Sequence, residues 1–292
     1  MGRITRDHNE RQFTCVPQMT LYSSVFASPS RLRLAQASGI HCTTPAAHHA
    51  AGRCASIEAL EAARELGIHF SVIVMQGAAS KNKLSVLQFL RAQGCPWSSQ
   101  TCRLLAESGE LAALQWARTQ RCSWDRYSIL SSAVGSGNLE LVKWVQQQSG
   151  VVCDERPMEL TAQLGATAMC EFLRSQWCPW STRACTTAAV FGRVDTLRWL
   201  REHGCPWDEA DMVPAAVNYR VNVELVQYLQ QQGLEFTAEM LTGLLQLAGG
   251  SSKLAAAKWL RQQGAEWPPV LQRWPAEMLA WATAEGCTSP QQ

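Results

Sequence analysis

The stretch Gly137-Asn138-Leu139-Glu140-Leu141-Val142-Lys143-Trp144-Val145 recurs in altered form along the chain, and its reading decides the fold. Leu139, Val142 and Val145 fall on one broad face at helical spacing, with Glu140, Lys143 and Gln147 on the polar arc. Aligned on its aromatic, the pattern returns at Phe89, Trp116, Trp144, Phe172, Trp199, Tyr228 and Trp259, in steps of 27, 28, 28, 27, 29 and 31 residues. Ala62 extends the series by one more step of 27 without a ring. Five residues before each anchor stands Ile57, Leu84, Leu111, Leu139, Thr167, Val194, Val223 or Leu254. One residue after it stands Ala63, Leu90, Ala117, Val145, Leu173, Leu200, Leu229 or Leu260. Gly109, Gly137, Gly165 and Gly192 lie seven residues before their anchors. Gly67, Gly94, Gly204, Gly233 and Gly264 lie five residues after theirs, where a helix C-cap needs a left-handed residue. Each of these helices is expected to run about eleven residues.

A second, shorter helix is expected between them. It carries a mid-sized apolar column (Met75, Cys102, Ile129, Cys185, Met212, Leu241) and a small-residue column (Ala79, Ala106, Ala133, Ala162, Ala189, Ala216) that lets neighbouring helices approach. Two helices per repeat, each burying a face on its neighbours, make an all-α helical solenoid of about nine helix–turn–helix repeats. The expected organisation is a flexible lead over 1–20, the solenoid over 21–287 with atypical capping units at 21–42 and 267–287, and a tail over 288–292.

Composition narrows the function. Of 292 residues 47% are hydrophobic, which fits a folded chain rather than a disordered one. The net charge of +2, from 26 basic and 24 acidic residues, lacks the basic excess of a dedicated nucleic-acid binder. No apolar run is long enough for a membrane span, and Arg3, Arg6, Asp7, Glu10 and Arg11 do not read as a secretion signal, so an intracellular, cytoplasmic protein is expected. No Cys-x-x-Cys occurs among the twelve cysteines, which read as free thiols packed as small hydrophobes. The loop series Cys95, Cys122, Cys178 and Cys205, with Cys287 as a possible fifth, is spaced too widely for one metal. His41, Cys42, His48, His49 and Cys54 match no familiar zinc spacing. Phosphate loops, metalloprotease helices, nucleophile elbows and dinucleotide fingerprints are absent, so no enzyme, cofactor or metal is expected.

The long helix resembles the second helix of an ankyrin repeat, on Gly137-Asn138-Leu139-Glu140-Leu141-Val142-Lys143-Trp144 and Gly192-Arg193-Val194-Asp195-Thr196-Leu197-Arg198-Trp199-Leu200. Gly204-Cys205-Pro206-Trp207 stands where ankyrin repeats carry Gly-Ala-Asp-Val. The resemblance covers about residues 22–286 and is strongest between 84 and 208. The repeat is shorter than the 33 residues usual for the family, so a tight loop should replace the β-hairpin finger. The Thr-Pro-Leu-His signature is absent, leaving Thr101 and Thr182 as helix-start residues. The resemblance implies a non-catalytic protein-binding scaffold, monomeric, using one solenoid face. A substrate-recognition arm of a ubiquitin ligase is its alternative, for which residues 1–20 are short as an added module.

Irregular points fall at Gly150-Val151-Val152-Cys153, where an extra residue enters and the tryptophan is lost, and at Gly249-Gly250-Ser251-Ser252, where the turn between helices is expected to have grown. Ten of the twelve tryptophans fall on two positions: the anchor (Trp116, Trp144, Trp199, Trp259, Trp281) and the loop (Trp97, Trp124, Trp180, Trp207, Trp267). With Phe89, Phe172 and Tyr228 they are expected to form the repeat core rather than a stacking ladder for bases. Two residues past the anchor come Arg64, Arg91, Arg118, Arg174, Arg201 and Arg261, and two further on Gln93, Gln120, Gln148, Gln176, Gln232 and Gln263. One reading has these side chains bond carbonyls at the helix end or in the next loop. The other makes the arginines a stripe that binds an acidic partner or a phosphate backbone, and it marks Arg91, Arg118, Arg174, Arg201 and Arg261 as partner-binding candidates.

Overall fold

A computed structural model describes residues 21–40, 42–217, 222–251, 253–269, 271 and 274–287. Every regular element among them is a helix, and the helices follow one another as pairs, a helical repeat solenoid. Two compact units divide the chain, residues 1–152 and 153–292. The expected flexible lead and the tail at 288–292 lie outside the described residues.

In the first unit, residues 21–25 form a helical stretch, followed by α1 (Pro29–Ala37), α2 (Pro45–Cys54), α3 (Ile57–Glu65), α4 (Val72–Ser80), α5 (Leu84–Ala92), α6 (Ser99–Glu107), α7 (Leu111–Thr119), α8 (Ile129–Gly135) and α9 (Leu139–Gln146). The second unit holds α10 (Arg156–Leu164), α11 (Thr167–Ser175), α12 (Thr182–Val190), α13 (Val194–Glu202), α14 (Glu209–Val217), α15 (Val223–Gln231), α16 (Ala238–Gly250), α17 (Leu254–Gln262) and α18 (Ala276–Ala284). Both helices of most repeats span 9 residues, so the expected eleven-residue helix with a shorter partner is corrected to two equal ones. The left-handed residue after each second helix stops it about two residues early.

First helices pack closely on first helices, α4 on α6 and α6 on α8 in one unit, α10 on α12 and α12 on α14 in the other. The small-residue column permits this: Ala79, Ala106, Ala133, Ala162, Ala189 and Ala216 are all buried. The closest approach is α2 on α4. A Cβ added to Gly52 would lie 2.0 Å from the Val74 carbonyl oxygen. Second helices bury three columns: Val86, Ala113, Leu141, Thr196 and Leu225 three residues before the anchor, Leu87, Leu114, Val142, Leu197 and Val226 two before it, and Leu90, Ala117, Val145, Leu200 and Leu229 one after it. The buried face is therefore rotated from the one expected, because Leu84, Leu111 and Leu139 are only half-buried.

Turns between paired helices are held by a donor that reaches back one repeat. Lys83 Nζ donates to the Ala55 carbonyl (3.1 Å), Asn138 Nδ2 to Gly109 (2.7 Å), Arg193 Nε to Gln163 (3.0 Å) and Asn222 Nδ2 to Gly192 (3.2 Å). Such bonds supply part of the inter-repeat support that a hairpin finger would give. Helix starts are capped by Ser71, which accepts from the Ile73 N–H, and by Ser98, whereas the Ser181 hydroxyl stands at the same position, buried and without a hydrogen bond to its helix. Thr182 is the first residue of α12, at the helix start expected of it, whereas Thr101 lies inside α6, where its hydroxyl accepts from the Ser98 N–H at 3.4 Å.

Two further expectations are corrected. The insertion at 249–250 lengthens α16 to 13 residues instead of widening the turn. Cys153 and Cys178 form a disulfide, so these two thiols are not free. Burial does describe most of the rest: Cys42, Cys95, Cys102, Cys122, Cys170, Cys185, Cys205 and Cys287 are buried and Cys54 is exposed.

The arginine–tryptophan ladder as a candidate interface

The candidate surface is built at the end of each second helix. The arginine sits in the last turn, a left-handed residue then reverses the chain, a buried cysteine (Ala265 after Arg261) anchors the loop, and a tryptophan closes it six residues after the arginine. Turning back this way lays the indole under the guanidinium. The Arg91 Cζ lies 4.5 Å from the Trp97 ring centre, and the Arg118–Trp124 pair sits at 4.1 Å, both in the first unit. In the second unit Arg174–Trp180 and Arg201–Trp207 sit at 4.1 Å and Arg261–Trp267 at 4.4 Å. The sequence reading that had arginines bond loop carbonyls holds at three of these. Arg118 Nη1 donates to the Cys122 carbonyl at 2.8 Å, Arg201 to Cys205 at 3.2 Å, and Arg261 to Ala265.

Four of the five loop rings, all but Trp207, also meet the anchor ring on the second helix of the next pair. Trp97 and Trp116 lie 5.7 Å apart, Trp124 and Trp144 6.0 Å, Trp180 and Trp199 6.3 Å, all near edge-to-face, and Trp267 and Trp281 tilted at 5.3 Å. His203 stacks on the far side of this motif, 4.1 Å from Trp199. These arrangements match the quadrupole preferences of aromatic pairs and the attraction of a cation for a ring face. The rings expected in the core are placed at its edge. Phe89, Trp97, Trp116, Trp124, Trp144, Phe172, Trp180, Trp199, Trp207, Trp259 and Trp267 are half-buried, and only Tyr228 among them is buried.

Stacking was missed in the sequence, although a signal for it is there. Every loop tryptophan has an arginine six residues before it. Where Cys153 or Phe236 takes the tryptophan's place, Gln146 or Gln230 takes the arginine's. The glutamines two residues beyond the arginines behave differently, with Gln148 donating to the Trp144 carbonyl at 3.2 Å and Gln176 to the Ser175 hydroxyl at 3.3 Å.

The loop cysteines are structural. The thiols of Cys95, Cys122 and Cys205 donate to the carbonyls of Ser71, Ser98 and Ser181 at 3.4, 3.7 and 3.6 Å. Burial pushes Cys95 up to about 11 and Cys170 up to about 12. Contact with the thiol of Cys122, then burial, raises Cys102, and Cys205 does the same to Cys185. Thiols held protonated in this way are poor nucleophiles and poor metal ligands, while Cys122 and Cys205 are lowered by the hydrogen bonds from their partner thiols, Cys102 and Cys185. His41 lies outside the described residues, and the rest of its cluster does not converge: no group of three metal-binding side chains forms among the described residues. Likewise, no described helix is long and apolar enough to cross a membrane.

No protein-family model matches the sequence, and no curated protein is similar to it. Among solved structures the chain is similar to the human ASB11 ankyrin repeat domain, at 20% identity over 67% of this chain and 99% of that one, with a TM-score of 0.45. It is also similar to the pentatricopeptide repeat protein PPR10, solved in complex with an 18-nt psaJ RNA element. That match has 11% identity and a TM-score of 0.45, and it covers 93% of this chain but only 48% of PPR10.

Proposed function

We propose that the chain is a non-catalytic protein-binding scaffold, and that in each unit the partner's acidic side chains dock on the arginine–tryptophan ladder. The observation that carries this reading is the set of five half-buried arginines, each held 4.1–4.5 Å over an indole in the same register. A guanidinium held in this way has already given up much of its rotamer freedom, so it loses less on binding a carboxylate. Arginine and tryptophan are also the side chains that contribute most to protein interfaces. A nucleic-acid reading has less support, since each loop indole already has an arginine over its face, and all but Trp207 also meet the next anchor ring. Such rings offer bases a poor stacking platform.

The test is affinity purification from the source cells with wild type and with Arg91, Arg118, Arg174 and Arg201 all changed to Gln. The chain itself carries Gln at this register at Gln146 and Gln230, so the variant keeps a residue the repeat accommodates. Loss of one specific protein with helicity unchanged is expected. Equal recovery by both forms would rule the ladder out as the docking surface. Retention on single-stranded DNA that falls steeply with salt would move the reading to nucleic acid.

A further inference from the structure

One rung of the ladder is incomplete. Arg64 stands at the ladder register, but the loop residue six positions on is Phe70 and the following anchor is Phe89, so both tryptophans of the rung are replaced by smaller rings. The Arg64 guanidinium makes no ring contact, hydrogen bond or ion pair with the described residues, and the residue is exposed where the five stacked arginines are half-buried. The space left at this rung forms two adjoining grooves of about 410 and 430 Å³ that share Arg64 and Gln93. Phe70 lines the first, with Ile68 and Cys95 at its base, and Phe89 lines the second.

We propose that this rung is completed by a partner: an aromatic side chain of a bound protein segment, best an indole, enters the groove and stacks under Arg64. The same chain shows five times what a ladder arginine takes as its neighbour, and each time it is an indole within 4.5 Å. A cation without a counter-ion is complementary to the negative face of a ring, and the ring asks for no charged partner in return. That matters here because Glu61 and Glu65 border the second groove and disfavour an acidic occupant. Glu65 is itself paired with Arg33 at 3.2 Å, which leaves Arg64 the nearby cation free for a ring. The groove volumes hold a side chain of this size with part of its backbone, within the range of small-ligand sites.

This inference rests on the reading of the chain as a protein-binding module and names one of its contacts. The test uses the whole chain, labelled with ¹⁵N, and titrates N-acetyl-L-tryptophanamide, with N-acetyl-L-leucinamide as the aliphatic control. Saturable shifts confined to the amides of Ile68, Phe70, Gln93 and Cys95 are expected with the indole, at millimolar concentrations. Arg64→Gln should weaken them about five-fold, the value of one exposed cation–π contact. Phe70→Trp supplies the missing ring from within and should abolish binding while holding or raising the melting temperature. Equal shifts with the leucine compound, equal affinity in Arg64→Gln, or no shifts in the wild type would each overturn the proposal. Indole binding here without any protein recovered from cells would remove the scaffold reading and leave the groove standing; the converse would remove the groove alone.

Discussion

Cys153 is disulfide-bonded to Cys178 in the register where the neighbouring loops place Trp124 and Trp180, so one covalent clasp stands where the other loops use a stacked indole. The bond closes a loop across 25 residues of sequence. Chain-entropy reasoning gives such a crosslink about 3.5 kcal/mol. Cys153→Ser is therefore expected to lower the thermal midpoint of the oxidised protein, and a reducing agent should bring wild type down to the variant's midpoint. If reductant leaves the wild-type melt unchanged, the clasp contributes nothing to stability.

Arg118 makes two contacts where Arg91 makes one, since both stack on an indole but the Cys122 carbonyl bond belongs to Arg118. A double-mutant cycle between Arg118→Gln and Trp124→Leu is expected to give a coupling of about 1 kcal/mol. Arg118→Gln should cost about 1 kcal/mol more than Arg91→Gln, the contribution of the extra hydrogen bond. Arg118→Lys should not restore the difference, because a lysine ammonium has neither the flat face nor the forked donors. Urea denaturation of these variants and the double mutant checks each value, and equal losses at both arginines would show that the carbonyl bond adds nothing.

The repeat was legible because its period rests on local chemistry. A left-handed cap favours glycine, close helix contact favours alanine, and both recur at fixed intervals, as at Gly94 and Ala106. What stayed hidden depends on where the chain goes after the turn. Trp97 and Arg91 lie six residues apart, not the three or four of a shared helix face, so helical-wheel reasoning never places them together. The same limit hid the disulfide: no spacing rule couples Cys153 to Cys178 until the loops of successive repeats are stacked. Trp274 stayed outside both tryptophan series because it fills a gap unique to the last unit.

Arg121 and Trp177 occupy the glycine register after α7 and α11 and adopt φ of 59° and 60°. A side chain in this region costs about 1 kcal/mol relative to glycine. The Trp177 ring is 85% exposed, so removing it sacrifices little burial. Trp177→Gly and Arg121→Gly should each stabilise by about 1 kcal/mol, read as a rise in melting temperature. A fall in either would mean that the side chain makes a stabilising contact that outweighs its backbone cost.

Burial lowers His48 below the usual histidine value of 6.5, and burial followed by the nearby Arg53 charge lowers His49. The His48 Nδ1 lies 2.8 Å from the Ser71 hydroxyl, while Nε2 is buried with no hydrogen-bond partner. Protonation is thus easier in the unfolded chain. Their contribution to stability is complete above pH 6.5 and declines as pH falls through that value. The urea midpoint should drop between pH 7.5 and pH 5.5, and His48→Gln should reduce the drop. An unchanged pH dependence in His48→Gln would assign the effect to other groups.

Gly249 and Gly250 end α16 side by side, but only one of them is required there. A Cβ on Gly249 would lie 1.9 Å from the Trp274 Cε2, inside the ring system, whereas one on Gly250 meets nothing within 4 Å. Trp274 is itself buried in the core of the last unit with Leu244, Leu260 and Met278, so it has no open space to move into. Gly249→Ala must either displace the indole or bend the helix, and overpacking of this kind costs about 1–3 kcal/mol or more. Gly250→Ala gains helix propensity and should be neutral or stabilising by up to about 1 kcal/mol. Paired thermal melts decide it: a clear loss for Gly249→Ala beside none for Gly250→Ala is expected. Equal melts would mean that Trp274 repacks freely, and that the long α16 does not depend on a glycine to seat it.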